Sequence, residues 1–249
     1  MMPLVSVIMP CYDMEKFIAH SIESVIGQTF TDLELLIVDD ASTDKTAEIV
    51  RYYCEQDDRI KLEVNNQHLG TAYSRNQAIV KAQGRYLAFL DADDIWHPDK
   101  LEKQLAFMNE HDAAFSYSAY ELIDEEGLPL QKTIATAGKL GYEDYLRNTI
   151  IGCSTVMLDR EKVGEVTVPS FRTSQDTATW LSILKKGFMA LPIEESLVSY
   201  RIRRKSSSSN KFKATHDLWT VYRQQEKLPI CKALVCFGSY AFHAIKKRL

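Results

Sequence analysis

Apolar residues in the first half of the chain fall into short runs separated by stretches of helical spacing. Val5 to Met9 is a strand-like run halted at Pro10, and Leu33 to Val38, Ile60 to Val64 and Tyr86 to Leu90 repeat the pattern. Between the first two runs, Ile18, Ile22, Val25 and Ile26 recur at a helical period, and Asp13 stands where a helix cap is expected. "ASTDKT" predicts a turn and a capped helix start, and "GTAYSRNQAIVKAQG" a helix closed by Gly84. Strand and helix thus alternate four times over about 110 residues, which predicts an α/β fold with a largely parallel sheet.

The alternation loosens after a helix from Pro98 to about His111. "AAFSYSAYELI", "CSTVML" and "SLVSYRI" are predicted strands; "YEDYLRNT" and "DTATWLSILKK" are predicted helices. "RRKSSSSNKFK" reads as a polar, cationic loop followed by two helical segments. The expected organisation is one domain over 1–212, with a half at 1–112 and a half at 113–212, and a basic helical extension over 213–249.

Charge changes this picture at one end. Residues 201–249 hold twelve Lys and Arg against Asp217 and Glu226, a balance of +10, whereas residues 1–200 carry −14. An acidic body with a basic tail predicts a polyanionic ligand or membrane surface near the C-terminus. Five cysteines with no CxxC pair argue against a disulfide framework or zinc knuckle and predict a reducing, cytoplasmic compartment. No signal peptide and no spanning run is expected, and nothing points to nucleic acid.

The candidate chemistry sits at strand ends, where ligands of open α/β sheets bind. "PCYD" follows the first strand, "DDASTD" the second, and "DADD" the fourth. One Asp at a strand end is usually a cap or turn former. Three carboxylates in four positions, Asp91, Asp93 and Asp94, repel one another unless a cation offsets them. Hard oxygen ligands suit Mg2+ or Mn2+ shared with a diphosphate. A calcium loop is a poor match, because Trp96 stands where that loop needs Gly. A phosphatase with an Asp nucleophile shares DxD, but after its first strand rather than its fourth.

With "PCYD", "IVDDASTDKT", "SRNQAIVKAQGRYLAFLDADD" and "SQDTATWLSILKKG" in order, residues 3–200 resemble the family-2 inverting glycosyltransferases of the GT-A fold. That resemblance implies a Rossmann-like mixed sheet flanked by helices, and sugar transfer from a nucleotide-diphosphate donor with Mn2+ or Mg2+. By the family pattern, Pro10, Tyr12 and Asp40 line the nucleotide pocket, Tyr12 packing on a base, commonly uracil, and Asp40 meeting its edge. Asp39 is the lesser member of the pair. Asp91 lies near ribose and metal, Asp93 ligates the metal, Asp94 shapes the donor-sugar site, and Arg75 helps hold the nucleotide. The competing reading of Arg75 is a salt bridge to the acidic cluster.

Asp176 matches the family's general base in a motif usually reading Glu-Asp, with Gln175 in place of the Glu. The competing reading of Asp176 is a helix N-cap. Arg201 and Arg203 begin a cationic loop that could close on the diphosphate. Trp96 and Trp180 are core residues or sugar platforms, and His97 is not expected to bind metal. The "DADD" form and "YRIRRKSSSSNK" further resemble bacterial enzymes of O-antigen, capsule or teichuronic-type polysaccharides, implying a glycan or polyprenyl-diphosphate-linked saccharide acceptor. A nucleotidyltransferase is disfavoured, since "MPCYDMEKF" lacks a Gly-rich phosphate loop. A nucleotide-sugar-binding subunit without catalysis stays open. The tail "LPICKALVCFGSYAFHAIKKRL" could lie on the inner face of the membrane, pack on the domain, or meet a second copy in a homodimer.

Overall fold

The computed structural model describes residues 2–171, 173–203 and 211–246, apart from the side chains of 211–214 and 244–246. Strands β1 (Val5–Cys11), β2 (Leu33–Asp39), β3 (Ile60–Val64) and β4 (Tyr86–Phe89) alternate with helices α1 (Ile18–Ile26), α2 (Thr46–Gln56) and α3 (Thr71–Lys81). The second half runs β5 (Ile95–Trp96), α4 (Lys100–Glu110), β6 (Phe115–Ile123), β7 (Pro129–Ile134), α5 (Tyr142–Arg147), β8 (Val156–Asp159), α6 (Arg160–Val163), α7 (Gln175–Leu184) and β9 (Ala190–Arg201). It ends with α8 (Lys211–Thr220), a π-helical turn at Val221–Gln225, and α9 (Ile230–Lys246). Among the described residues, no helix is long and apolar enough to cross a membrane.

The described strands form one nine-stranded sheet in the order β3-β2-β1-β4-β8-β6-β9-β5, with β7 paired to β6. The β3-β2-β1-β4 block is parallel, as the alternation predicts. From β4 onward the sheet becomes mixed, β8 lying antiparallel to both β4 and β6 while β9 runs parallel to β6. Strands β1, β2 and β4 are buried on both faces. Val5, Val7 and Met9 of β1 join Ile18, Ile22 and Val25 of α1 on one side; Ile8 joins Leu36, Val38 and Phe89 in the core of the other. Double-sided burial is why these strands read as continuous apolar runs rather than alternating ones.

Four expectations are corrected. β1 passes through Pro10 to Cys11, in register with β2 up to Cys11–Asp39. Its pairing with β4 ends at Ile8, so a residue without an amide hydrogen is tolerated beyond that point. Asp13 does not cap α1, which starts at Ile18 after Phe17. Asp13 instead adopts φ +51° and accepts a hydrogen bond from the Thr43 amide at 2.8 Å, tying the β1–α1 loop to the β2–α2 loop. The start of α2 follows Lys45 and carries no side-chain cap.

Gly84 does not close α3, which ends at Lys81. It lies against β1, where an added Cβ would come within 2.7 Å of the Ser6 nitrogen. Its amide donates to Ser6 Oγ at 2.8 Å, and Ser6 Oγ donates to buried Glu34 at 2.6 Å. Glycine is required there by close approach of two backbones.

Candidate active site

The loops that carry "PCYD", "DDAS" and "DADD" gather beyond the carboxyl ends of β1, β2 and β4, because those strands are parallel and adjacent. At the first, Pro10 is buried and Tyr12 half-buried, its ring 4.1 Å from that of His68. Asp40 is buried and fully engaged. It accepts hydrogen bonds from the amide of Gly70 at 2.6 Å, the amide of Leu69 at 3.0 Å and the side chain of Asn65 at 2.8 Å, and pairs with His68 Nδ1 at 2.8 Å. Burial would raise its pKa, but the bonds from Leu69, Asn65 and Gly70 outweigh burial and hold the carboxyl below its ordinary value. Asp39 goes the other way. Burial raises it despite bonds from Ser42, and Asp39 Oδ2 has no hydrogen-bond partner.

The acidic loop after β4 is held from several directions. Asp91 accepts from Arg75 Nη2 at 2.8 Å, and its amide donates to Ser154 Oγ at 3.1 Å. The Asp91 side chain is half-buried. Burial, opposed by Arg75 and reinforced by Asp176 and Asp93, pushes it up to about 6. Asp93 pairs with Arg203 Nε, while its carbonyl accepts from Arg201 Nε at 2.8 Å.

Asp94 is fully buried. It accepts from Ser154 Oγ at 2.5 Å and from the Arg201 amide at 2.9 Å, and burial beside Asp93 and Asp91 raises its pKa well above the ordinary value. The three carboxylates therefore differ in kind: Asp94 anchors the loop, whereas Asp91 and Asp93 keep partial exposure.

Arg75 links this loop to the second half of the chain. Buried on the inner side of α3, it also donates Nη1 to Asp176 Oδ1 at 2.5 Å. Both competing readings of these two residues are thereby decided in part: Arg75 does pair with the acidic cluster, and Asp176 is not the N-cap of α7, a place taken by Ser174. Asp176 lies in the first turn of α7 with its carboxylate half-exposed. Beneath it the Cys153 thiol is fully buried; burial first, then Asp176 and Asp91, raises its pKa well above normal despite Arg75. That thiol stays protonated and supplies no nucleophile.

Arg201 and Arg203 emerge from β9 beside the acidic loop but differ in freedom. Arg201 is buried, its Nη1 donating to the carbonyls of Asp124 at 3.1 Å and Glu125 at 2.9 Å. Both guanidinium groups stack over Phe17, at 5.1 and 5.4 Å from its ring centre. The remainder of the cationic loop, 204–210, lies outside the described residues. Trp96 and Trp180 are core residues. Trp96 Nε1 donates to the Ser154 carbonyl at 2.9 Å, and Trp180 packs on Phe89 and Phe115. His97 Nε2 lies 3.1 Å from Glu121 and takes no part in the cluster.

Ser154, Phe17 and His68 are the residues that sequence reasoning missed. Ser154 sits in a 3-10 turn immediately before β8, and only the antiparallel placement of β8 beside β4 carries it to the acidic loop. No local pattern announces that. His68, in contrast, precedes "LG" in the loop ahead of α3, and a half-exposed His there could have been noted.

Residues 6–166 match the model of the glycosyl transferase family 2 domain. The chain belongs to that family. This glycosyltransferase is 50% identical, over 99% of its length and 98% of the relative's, to TuaG of Bacillus subtilis, a glycosyltransferase named for teichuronic acid biosynthesis. It is 39% identical over 98% of its length to WfgD of Escherichia coli, covering 94% of that protein, which is named as a UDP-Glc:alpha-D-GlcNAc-diphosphoundecaprenol beta-1,3-glucosyltransferase.

Among solved structures, Staphylococcus aureus TarS 1–349 in complex with UDP-GlcNAc superposes with a TM-score of 0.73 at 21% identity, over 88% of this chain and 64% of that one. The mannosyltransferase PcManGT of Pyrobaculum calidifontis, in complex with GDP-Man and Mn2+, gives 0.71 at 19% identity, over 96% and 70%. At these identities the likeness shows the fold, which is GT-A. The calcium-loop reading of "DADD" falls, since Ile95 and Trp96 form β5 against β9 instead of closing a loop, and the phosphatase reading falls with the family.

Proposed function

We propose that this glycosyltransferase moves a sugar, with inversion, from a nucleotide-diphosphate donor to a hydroxyl of a lipid-linked saccharide or growing glycan in bacterial surface polysaccharide synthesis. The observation that carries the reading is the shared arginine: Asp91 of the donor loop and Asp176 of the acceptor half meet on Arg75. In this reading residues 1–112 hold the donor and 113–212 the acceptor, on the cytoplasmic side. UDP is the first donor to test, as WfgD is named for UDP-Glc.

Tyr12 offers its ring to the base. Asp40 fixes the amides of Leu69 and Gly70, and reaches the base edge through the oxygen now facing half-exposed His68. The donor set fits a divalent metal. Among the described residues no group of three or more His, Cys, Asp or Glu would hold an ion unaided, whereas Asp93 and Asp91 present hard oxygens that a donor diphosphate would complete. Mn2+ or Mg2+ held by Asp93, with Asp91 beside it, would supply charge compensation for the leaving diphosphate.

Asp176 takes the proton from the acceptor hydroxyl as that oxygen attacks opposite the departing nucleotide. Arg75 fixes the carboxylate's position for this step. Arg203, paired with Asp93, is the cation that can turn toward the diphosphate, while Arg201 holds the strand end in place.

The test is Asp176→Asn, assayed with UDP-sugars and a diphosphate-lipid-linked saccharide, the anomeric configuration of the product read by NMR. The expected result is an inverted product from the wild type and, in the variant, retained donor binding with turnover lowered at least on the order of a hundredfold. Full turnover in the variant would overturn the assignment. Absence of turnover in the wild type, with donor bound, would favour a binding subunit without catalysis.

A further inference from the structure

Helix α9 is inverted relative to an ordinary surface helix. Its exposed residues, among those described, are Ile230, Cys231, Leu234, Val235, Gly238 and Phe242, all of them without charge or hydrogen-bonding amide or hydroxyl side chains. Ile230 and Leu234 are each 57% exposed, Val235 63% and Phe242 66%. The polar residues Lys232, Ser239 and His243 are half-buried. The inner face is already satisfied: Ala233 and Cys236 are buried in the core, with Phe237 and Tyr240 packed on it. The outer stripe is thus a second apolar face that the domain does not cover. Such faces mark interaction sites when they are contiguous and rimmed by charge.

The rim is basic. Arg223 and Lys227 are exposed just before the helix, which ends at Lys246, followed in sequence by Lys247 and Arg248. The two acidic residues of 201–249 do not offset them outwardly. Glu226 is buried against Lys185 and Tyr142, and Asp217 accepts hydrogen bonds from Thr173. A second copy meeting this stripe about a twofold axis would bring the same basic rim against itself, since such an interface uses the same patch twice. An anionic lipid surface satisfies both features at once.

We infer that α9 is an interfacial membrane helix, lying in the plane of an anionic bilayer with Leu234, Val235 and Phe242 seated among the acyl chains and the basic residues at the headgroups. Apolar burial and basic charge act together in such helices. The inference stands on the helix itself and needs no reading of the catalytic site. It would hold the acceptor half close to a lipid-borne substrate.

The test is co-sedimentation of the full chain with vesicles of phosphatidylcholine alone and of phosphatidylcholine with about a third phosphatidylglycerol, at low and at roughly 0.5 M salt. Two variants are compared, Phe242→Glu and Leu234→Glu/Phe242→Glu, each checked for an unchanged melting temperature. Both sites are solvent-exposed, so folding should survive.

The expected result is wild-type binding to the anionic vesicles, weakened by salt, and loss of affinity on the order of tenfold or more in the double variant. Equal binding of wild type and double variant, equal binding to neutral vesicles, or no binding at all would overturn it. So would a wild-type dimer in sedimentation equilibrium that the variants dissolve, since the stripe would then belong to a second copy. No outcome bears on turnover, so failure here leaves the transfer reading intact.

Discussion

Arg75 donates one guanidinium nitrogen to Asp91 at 2.8 Å and the other to Asp176 at 2.5 Å, the second partner lying 101 residues away. Arg75 itself is buried, whereas both carboxylates retain solvent exposure. A rigid fork with two donating ends suits this geometry, and a lysine ammonium cannot reproduce it. The arginine fixes the distance between the carboxylate that serves the donor and the one that serves the acceptor.

Replacing Arg75 should therefore damage more than charge. Arg75→Lys is expected to keep the protein folded but lower turnover on the order of a hundredfold, the cost of displacing a reacting group by about an ångström. Arg75→Met leaves two carboxylates facing each other without a cation, and should lose roughly 3–5 kcal/mol of stability. Steady-state kinetics and thermal melts distinguish the two effects. Near-normal turnover in Arg75→Lys would show that the fork is dispensable.

Donor binding should depend on pH through Asp91. Its carboxyl is pushed up to about 6, chiefly by burial, so the protonated form is favoured in the folded protein below that value. A folded pKa above the unfolded one means that the group's contribution to stability is present at low pH and lost as pH rises through about 6. Metal and diphosphate need the ionised form, so their affinity runs the opposite way. Below pH 6 the apparent dissociation constant for UDP with Mn2+ should rise by about tenfold per pH unit. Titrations at pH 5 to 7.5 check this, and Asp91→Asn should flatten the profile.

The first four strands and three helices could be read from the chain because each is decided locally, by an apolar run or a helical stripe. β5 and β7 could not. β5 has two residues and exists only through its pairing with β9, while β7 is a largely exposed edge on β6 with no alternation to mark it. The same division holds at the site. Asp91, Asp93, Asp176 and Arg75 stood out by clustering or by motif, but the bridge that Arg75 makes from Asp91 to Asp176 and the support of Asp91 and Asp94 by Ser154 depend on the sheet order. Arg201 reads as a free cation in sequence; the fold spends it on the carbonyls of Asp93, Asp124 and Glu125.

Ser154→Ala tests that support. The hydroxyl donates to Asp94 at 2.5 Å in a buried environment and accepts from the part-buried Asp91 amide at 3.1 Å. Its loss leaves two groups unsatisfied and should cost about 1–3 kcal/mol in chemical denaturation. Turnover should fall further than stability accounts for, because the loop bearing Asp91 and Asp93 loses its fixed position. A variant with unchanged stability would contradict this role.

Lys100 offers a separate check on the fold. It is completely buried, donates to Gln104 at 2.6 Å and lies 4.0 Å from the centre of the Trp96 ring. Burial lowers its pKa to about 7. Between about pH 7 and the unfolded value the native state binds fewer protons than the unfolded one, so stability rises with pH. The wild type should gain stability relative to Lys100→Met from pH 7 to 9, and at pH 7 the variant should be at least as stable as the wild type. Melting curves of both proteins across that range decide it, and parallel curves would mean that Lys100 stays charged in the fold.

The most direct test of the donor site is calorimetric titration of UDP, with Mn2+ and with chelator, into wild type, Asp93→Ala and Asp176→Asn. The expected result is UDP binding that requires the metal, is lost in Asp93→Ala and persists in Asp176→Asn. UDP binding indifferent to chelator and to Asp93→Ala would contradict the assignment of the "DADD" carboxylates to a metal-held diphosphate.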